Sequence, residues 1–238
     1  MLVAHRIAKA HAGRPIVLGV DLSLRTGEVV GLLGPNGAGK STSFGMIAGI
    51  STPDAGSVLM DGRDVTALPL FARARLGLGY LPQEPTIFRG NSVEDNILIV
   101  LESVIGVKSD RLARLDELLS EFGLDKVRRS RAGALSGGER QRLGIARTLA
   151  SDPTYILLDE PFAGVDPIAV IEIRKIVRGL IRRGIGVLIT DHNVRETLSL
   201  VDRAYIIDAG HILAAGPVHR IVADPRVRAA YLGTNFEL

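Results

Sequence analysis

Lys40 and Ser41 close the stretch Gly34-Pro35-Asn36-Gly37-Ala38-Gly39-Lys40-Ser41, which fits G-x-x-x-x-G-K-[ST]. An apolar run at 28–33 precedes it and a helix-like segment at 40–48 follows it. The chemistry open to this pattern is the holding of a polyphosphate. Glycines let backbone N–H groups turn inward around phosphate oxygens. The helix that starts at Lys40 aims its positive end at the same anion. Lys40 would reach the β- and γ-phosphates, Ser41 would offer its hydroxyl to magnesium, and Thr42 belongs to the same turn.

A second group is acidic. Tyr155-Ile156-Leu157-Leu158-Asp159-Glu160 reads as a buried strand ending in two carboxylates. Like charges there repel, so the pair asks for a reason. Division of labour supplies one: Asp159 serves the metal, and Glu160 draws a proton from the attacking water. The plain alternative is a solvated strand-end pair. A third group, Leu135-Ser136-Gly137-Gly138-Glu139, opens a helix with a capping serine and two glycines, which exposes amides at a second helix N-terminus. One nucleotide has one triphosphate. Two anion sites in one chain therefore mean either two nucleotides or two chains that share them.

The elements that must position these groups follow from patterning. Residues 2–7 and 16–24 read as strands around a turn at 11–15, and 28–33 as a strand buried on both faces. Residues 57–60 read as a strand with a turn at Asp61-Gly62. From about 85 to about 134 strand signals vanish and helical spacing takes over, as in Leu112, Leu115, Leu118 and Leu119. Alternation then returns: strands at 155–158, 186–190 and 204–207, helices at 168–180 and 194–200, and a hairpin strand at 212–214. Residues 217–238 read as short helices. The expectation is one α/β domain over 1–238, with a mainly parallel core, a β-rich N-terminal subdomain, a helical subdomain inserted at about 85–134 and a C-terminal tail at about 217–238.

Composition excludes other classes. The 238 residues include no cysteine, which removes disulfides, thiolate metal sites and a cysteine nucleophile. No apolar run reaches the roughly 18 residues of a membrane span. The first ten residues lack the apolar stretch of a secretion signal, so a cytosolic chain is expected. Net charge is +3, with 24 Arg and 5 Lys against 26 acids. The densest basic cluster, Lys126, Arg128, Arg129 and Arg131, has no interleaved aromatics, so no nucleic-acid partner is expected.

Taken in order, the phosphate loop, Gln83, Leu135-Ser136-Gly137-Gly138-Glu139, Asp159-Glu160, Asp166 and His192 resemble an ABC-transporter ATPase over nearly the whole chain. The resemblance implies a P-loop NTPase core of the ABC type that uses ATP and Mg2+ in a head-to-tail homodimer. Each ATP would lie between the Lys40 loop of one copy and the Ser136 loop of the other. It implies that Gln83 senses the metal and the attacking water, that Gly164-Val165-Asp166 lines the dimer seam and that His192 contacts the γ-phosphate. Two departures stand out. His11 occupies the place where an adenine-stacking Tyr is usual, and Ser41 replaces the commoner Thr. A module that used ATP only as glue for assembly would be expected to lack Glu160 or His192.

A narrower resemblance is to the ATPases of lipopolysaccharide export systems. It rests on Leu81-Pro82-Gln83-Glu84 with Ile87-Phe88-Arg89, Leu68-Pro69-Leu70 with Ala72-Arg73-Ala74-Arg75, and Pro161-Phe162-Ala163-Gly164-Val165-Asp166-Pro167. It rests further on the run from Thr190-Asp191-His192 to Leu198, on Tyr231-Leu232-Gly233 and on the ending Phe236-Glu237-Leu238. The resemblance implies extraction of lipopolysaccharide from the inner membrane. Two permease subunits would insert coupling helices near Phe88 and Arg89, and the chain would sit on the cytoplasmic face, held there only through these partners. Phe88 could otherwise be a core residue. ATPases of branched-chain amino-acid importers share several of these features.

Overall fold

Strands with apolar side chains on both faces need cover on both faces, and the chain supplies two different covers. The computed structural model describes residues 1–84, 86–233, 236 and 238. Pro85, Thr234, Asn235 and Glu237 lie outside the described residues, among them the residue expected to open the helical stretch and one of the closing motif. The central sheet has six strands in the order β10-β9-β3-β8-β7-β6. These are β3 (Val29–Leu33), β6 (Leu78–Leu81), β7 (Tyr155–Asp159), β8 (Gly186–Thr190), β9 (Arg203–Asp208) and β10 (His211–Pro217). All pairs are parallel except β10 with β9. A second, antiparallel sheet runs β2-β1-β4-β5, from β1 (Leu2–His11), β2 (Arg14–Leu24), β4 (Ala55–Met60) and β5 (Arg63–Asp64).

The alternation of side chains along a strand divides the core into two layers. Val30 and Leu32, with Leu157 and Leu188, face a core shared with the N-terminal sheet and with α1 (Lys40–Ala48). Val29, Leu33, Ile156, Leu158, Val187 and Ile189 face the other layer, built with α3 (Val93–Val104), α4 (Lys108–Glu121), α5 (Gly137–Leu149) and α6 (Pro167–Arg182). Helices α3 and α4 fall between β6 and β7, where helical spacing replaces strand patterning. The C-terminal stretch is α8 (Val218–Ala223), α9 (Pro225–Val227) and a π-helical turn at Arg228–Leu232.

Several boundaries differ from expectation. The turn expected at 11–15 shrinks to Ala12-Gly13, both with positive φ (48° and 77°), the geometry of a two-residue hairpin. The helix expected at 194–200 is shorter, α7 (Val194–Leu198). Two short elements carry no clear pattern in the sequence, β6 and α2 (Leu70–Ala74).

Helix α2 brings Arg73 into the interior, where it is fully buried. Its guanidinium donates to the carbonyls of Met46 (2.7 Å) and Ile47 (2.6 Å) at the C-terminal end of α1, and to those of Leu68 (2.9 Å) and Thr66 (3.0 Å). Burial lowers its pKa to about 10. A cation at this end of α1 complements the helix dipole and joins the helix to the loop that follows β5. Arg73→Ala would strand these carbonyls, and at about 1–3 kcal/mol for each buried unpaired group the expected loss is at least about 3 kcal/mol. Urea unfolding followed by circular dichroism measures it.

Candidate functional site

In an open parallel sheet, ligands bind beyond the carboxyl ends of the strands. Four such ends carry the candidate residues: the phosphate loop follows β3, Gln83 follows β6, Glu160 follows β7 and His192 follows β8.

The loop from Gly34 to Gly39 is held by its neighbours. Gly34 sits so close to β9 that an added Cβ would lie 2.0 Å from the Ile207 carbonyl oxygen. The Gly210 amide donates to Ala38 O at 3.0 Å, and a Cβ on Gly39 would meet Ile16 O at 3.0 Å. Helix α1 begins from Gly39 (φ 108°) with no side-chain cap. Among the described residues, the N–H groups of Gly37, Gly39, Lys40, Ser41 and Thr42 donate to nothing. Five open donors around one turn are the cradle an anion needs. Lys40, only 8% exposed, folds over the same turn and donates to Gly34 O (2.7 Å) and Pro35 O (2.9 Å). Burial lowers the Lys40 pKa, and the nearby carboxylates of Glu160 and Asp159 oppose that shift.

Glu160 has a left-handed backbone (φ 48°), costly for a residue with a side chain. Its amide donates to Thr190 O at 2.7 Å, which pins the turn to the end of β8. Its Oε2 accepts from Gln83 Nε2 (2.8 Å) and lies 3.3 Å from His192 Nδ1. Three residues expected to share a site, from three strand ends, thus share one oxygen. Asp159 receives the Tyr80 hydroxyl at 3.4 Å. Burial raises the Asp159 pKa, and the like charge of Glu160 adds to the rise. Burial also pushes Tyr80 up to about 12.

Those shifts test the fit of a cation. A buried carboxylate beside a second one is held at a cost that a divalent ion would relieve. The donors to hand, the Asp159 carboxylate, the Ser41 hydroxyl and the Gln83 amide oxygen, are the oxygen ligands that magnesium takes. An acid whose folded pKa is raised binds its proton more readily when folded, so its penalty stands at neutral pH and fades as pH falls towards the ordinary value of 3.8. Asp159→Asn is therefore expected to raise the melting temperature of the nucleotide-free protein at pH 7. Its turnover should fall at least about tenfold, as expected where a metal-organising carboxylate is lost. Scanning calorimetry at pH 7 and pH 4 checks the first effect, since the gain should shrink at the lower pH.

Ser136 caps α5 in a reciprocal box: Glu139 N donates to Ser136 Oγ (3.3 Å), and Ser136 N donates to Glu139 Oε2 (2.8 Å). The Ser136 amide holds the Glu139 carboxyl below its ordinary range. The Gly137 and Gly138 amides donate to nothing among the described residues. No hydrogen bond or ion pair among the described residues joins this group to residues 34–42. Asp166 caps α6, accepting from the Ile168 and Ala169 amides (2.9 and 3.0 Å). His11 lies exposed at the tip of the β1–β2 hairpin.

Phe88 is 46% exposed, which removes the core alternative. The Arg147 guanidinium lies 4.6 Å from its ring centroid. Arg147, which lies over Phe88, and Arg89 line different cavities. Arg147 lines a cavity of about 270 Å³ with Leu70, Tyr80 and Val100, whereas Arg89 lines another of about 240 Å³ with Gln83, Gly137 and Gln141. Sequence reasoning passed over Asn96. It is fully buried, accepts from Phe88 N (2.8 Å) and donates to Phe88 O (3.1 Å), and so fixes the backbone that presents the ring. Tyr231, named in the sequence only as part of Tyr231-Leu232-Gly233, has its hydroxyl buried facing the Gly34 backbone and Asp191, with its pKa pushed up to about 12 by burial.

Comparison with known proteins agrees with this geometry. The ABC transporter family profile matches residues 17–163, and a profile of the branched-chain amino acid ATP-binding cassette transporter matches residues 211–237. An uncharacterized ABC transporter ATP-binding protein of Rhizobium meliloti is 59% identical, covering 100% of this chain and 88% of the relative. The lipopolysaccharide export system ATP-binding protein LptB of Escherichia coli K12 is 52% identical, covering 100% of this chain and 99% of the relative. Among solved structures, the ADP conformation of an ATP-binding cassette of an ABC transporter superposes with a TM-score of 0.86 at 29% identity, covering 98% of each chain.

Proposed function

The chain belongs to the ABC transporter ATP-binding family and is an ATPase subunit of a transporter, and on that premise we propose that it drives lipopolysaccharide export from the inner membrane as a sandwich homodimer. One observation carries the choice of cargo: similarity to lipopolysaccharide export ATP-binding proteins runs the full length of the chain, at 52% and 53% identity in two species. A second reading, import of branched-chain amino acids, draws on the match at residues 211–237. That match is confined to the C-terminal stretch, so export is the reading we adopt. We read residues 1–238 as one ATPase unit with the helical subdomain at about 85–134.

The roles follow from the site. The open amides of the Lys40 loop take the phosphates, and Lys40 and Thr42 belong to that cradle. Ser41, Asp159 and Gln83 would hold Mg2+, which when bound supplies charge neutralisation for the phosphoryl oxygens. Glu160 accepts the proton of the attacking water through the carboxylate that Gln83 and His192 now contact. His192, 60% exposed at its side chain, is free to turn from Glu160 to the γ-phosphate. His11 would lie against adenine. The Gly137 and Gly138 amides, remote in bonding from their own phosphate loop, serve the nucleotide of a second copy, with Asp166 at the seam. Phe88 and the cavity lined by Arg147, whose guanidinium lies over the Phe88 ring, receive the coupling helix of a membrane permease, and Arg89 borders a second cavity. Among the described residues no helix is long and apolar enough to cross a membrane, so two permease subunits would hold the chain at the cytoplasmic face.

The test is reconstitution of the chain with its co-purified membrane subunits in vesicles. ATP-dependent release of lipopolysaccharide to an acceptor supports the proposal. ATP-dependent uptake of branched-chain amino acids without such release rejects it.

A further inference from the structure

Asp191 is a fully buried acid with no place in the roles above. It stands between the end of β8 and His192. Its Oδ2 accepts from the Phe162 amide at 2.9 Å, and its Oδ1 accepts from the Asn193 amide at 2.8 Å. Phe162 is two residues beyond Glu160, and Asn193 is one beyond His192. One carboxylate therefore bonds the segment that carries Glu160 and the segment that carries His192. The Glu160 amide, bonded to Thr190 O, makes the same connection one residue earlier. The His192 ring completes it, with Nδ1 3.3 Å from Glu160 and 3.6 Å from Asp191 Oδ1.

A buried carboxylate between two strand ends carries a desolvation cost that an apolar residue would not. Two charge-assisted bonds to backbone amides offset part of that cost and place two loops in one register. A tie of this kind limits how far Glu160 and His192 can drift apart when the imidazole turns. We propose that Asp191 is a positioning residue for ATP hydrolysis, a clasp that keeps the Glu160 and His192 segments in one geometry. The proposal rests on the reading of Glu160 as proton acceptor and His192 as sensor, and goes beyond it.

The test is a double-mutant cycle in steady-state phosphate release. Asp191→Asn keeps the side-chain size but turns one acceptor into a donor facing an amide. Alone it should lower kcat at least about tenfold with KM for Mg-ATP within about threefold, the mark of an effect on the transition state rather than on uniform binding. In a Glu160→Gln background it should cost less than about twofold more, because a clasp has little to position once the acceptor is gone. A kcat within about twofold of wild type, or a full tenfold further loss in the Glu160→Gln background, overturns the clasp. The single Glu160→Gln variant judges the underlying reading separately. If it keeps wild-type turnover, the role of Glu160 fails whatever Asp191 does. Amide exchange on the unmodified protein needs no variant to fold. The Phe162 and Asn193 N–H groups should exchange at least about a hundredfold more slowly than that of His192. Exchange of either at the His192 rate contradicts the clasp.

Discussion

Glu160→Gln is expected to lower ATP turnover at least about a hundredfold, about 2.7 kcal/mol of transition-state stabilisation, while nucleotide still binds. The substitution preserves shape. A glutamine carbonyl oxygen can still accept from Gln83 Nε2, which donates to Glu160 Oε2 at 2.8 Å in the native protein. The backbone constraint at φ 48° is the same for both residues. What disappears is the basic oxygen proposed to take the proton of water, together with a charge beside Asp159 that already raises the pKa of that residue. The variant should be no less stable than the native protein and should hold ATP for longer. Phosphate release and equilibrium binding of a fluorescent nucleotide measure the two effects. Turnover within about threefold of wild type would remove Glu160 from the role of base.

Lys40→Ala should weaken nucleotide binding by one to two factors of about ten, since charge-assisted hydrogen bonds are worth about 1.5–3 kcal/mol. The side chain is 8% exposed and lies over the turn with five open amides. In the native protein its ammonium is bonded to Gly34 O and Pro35 O, so it is already folded to where phosphate oxygens would arrive. Little conformational freedom remains to be lost on binding, and nearly the full electrostatic gain goes to the ligand. Removing it leaves the amides but takes away the one full positive charge that the phosphate loop itself supplies. Turnover should fall further than affinity, because charge grows on the phosphoryl oxygens in the transition state. Titration calorimetry with ATP measures the first effect, and a dissociation constant within twofold of wild type contradicts it.

The sequence made some of this geometry legible and hid the rest for physical reasons. The strands at 29–33, 155–159 and 186–190 are apolar at nearly every position because the sheet is covered on both faces, and that texture survives without coordinates. The helix beginning at Lys40 was legible because the glycine-dense turn gives way there to a stretch interrupted only by Gly45. Strand β6 was not. It has four residues and contains Gly79, where an added Cβ would fall 2.6 Å from Thr148 Cγ2, so close packing on α5 replaces the usual apolar signature. Arg73 reads as one of a charged pair with Arg75. Its burial depends on carbonyls 26 and 27 residues away. Asp191 looks like a solvated strand end until Phe162, 29 residues earlier, folds its amide onto it. Asn96 sits in an amphipathic helix as any polar residue might, and only the approach of the Phe88 backbone gives it two partners. For Arg73 and Asp191 the missing information is a long-range contact to backbone, for Asn96 a contact to backbone eight residues earlier, and for β6 a side-chain contact with α5; none leaves a trace in residue type.

In the proposed function, each ATP is hydrolysed between the Lys40 loop of one copy and the Gly137-Gly138 amides of another. Two inactive variants test it when mixed. Lys40→Ala disables one wall. Gly137→Asp places a negative charge at the other, at a position where a Cβ meets nothing nearer than 3.5 Å, so the fold should tolerate it. Random pairing in a symmetric dimer makes half the dimers mixed, each with one intact site, so the mixture should recover about a quarter of wild-type turnover. A mixture that stays at the sum of its two inactive parents, with dimers shown to exchange, would contradict a site built from two chains.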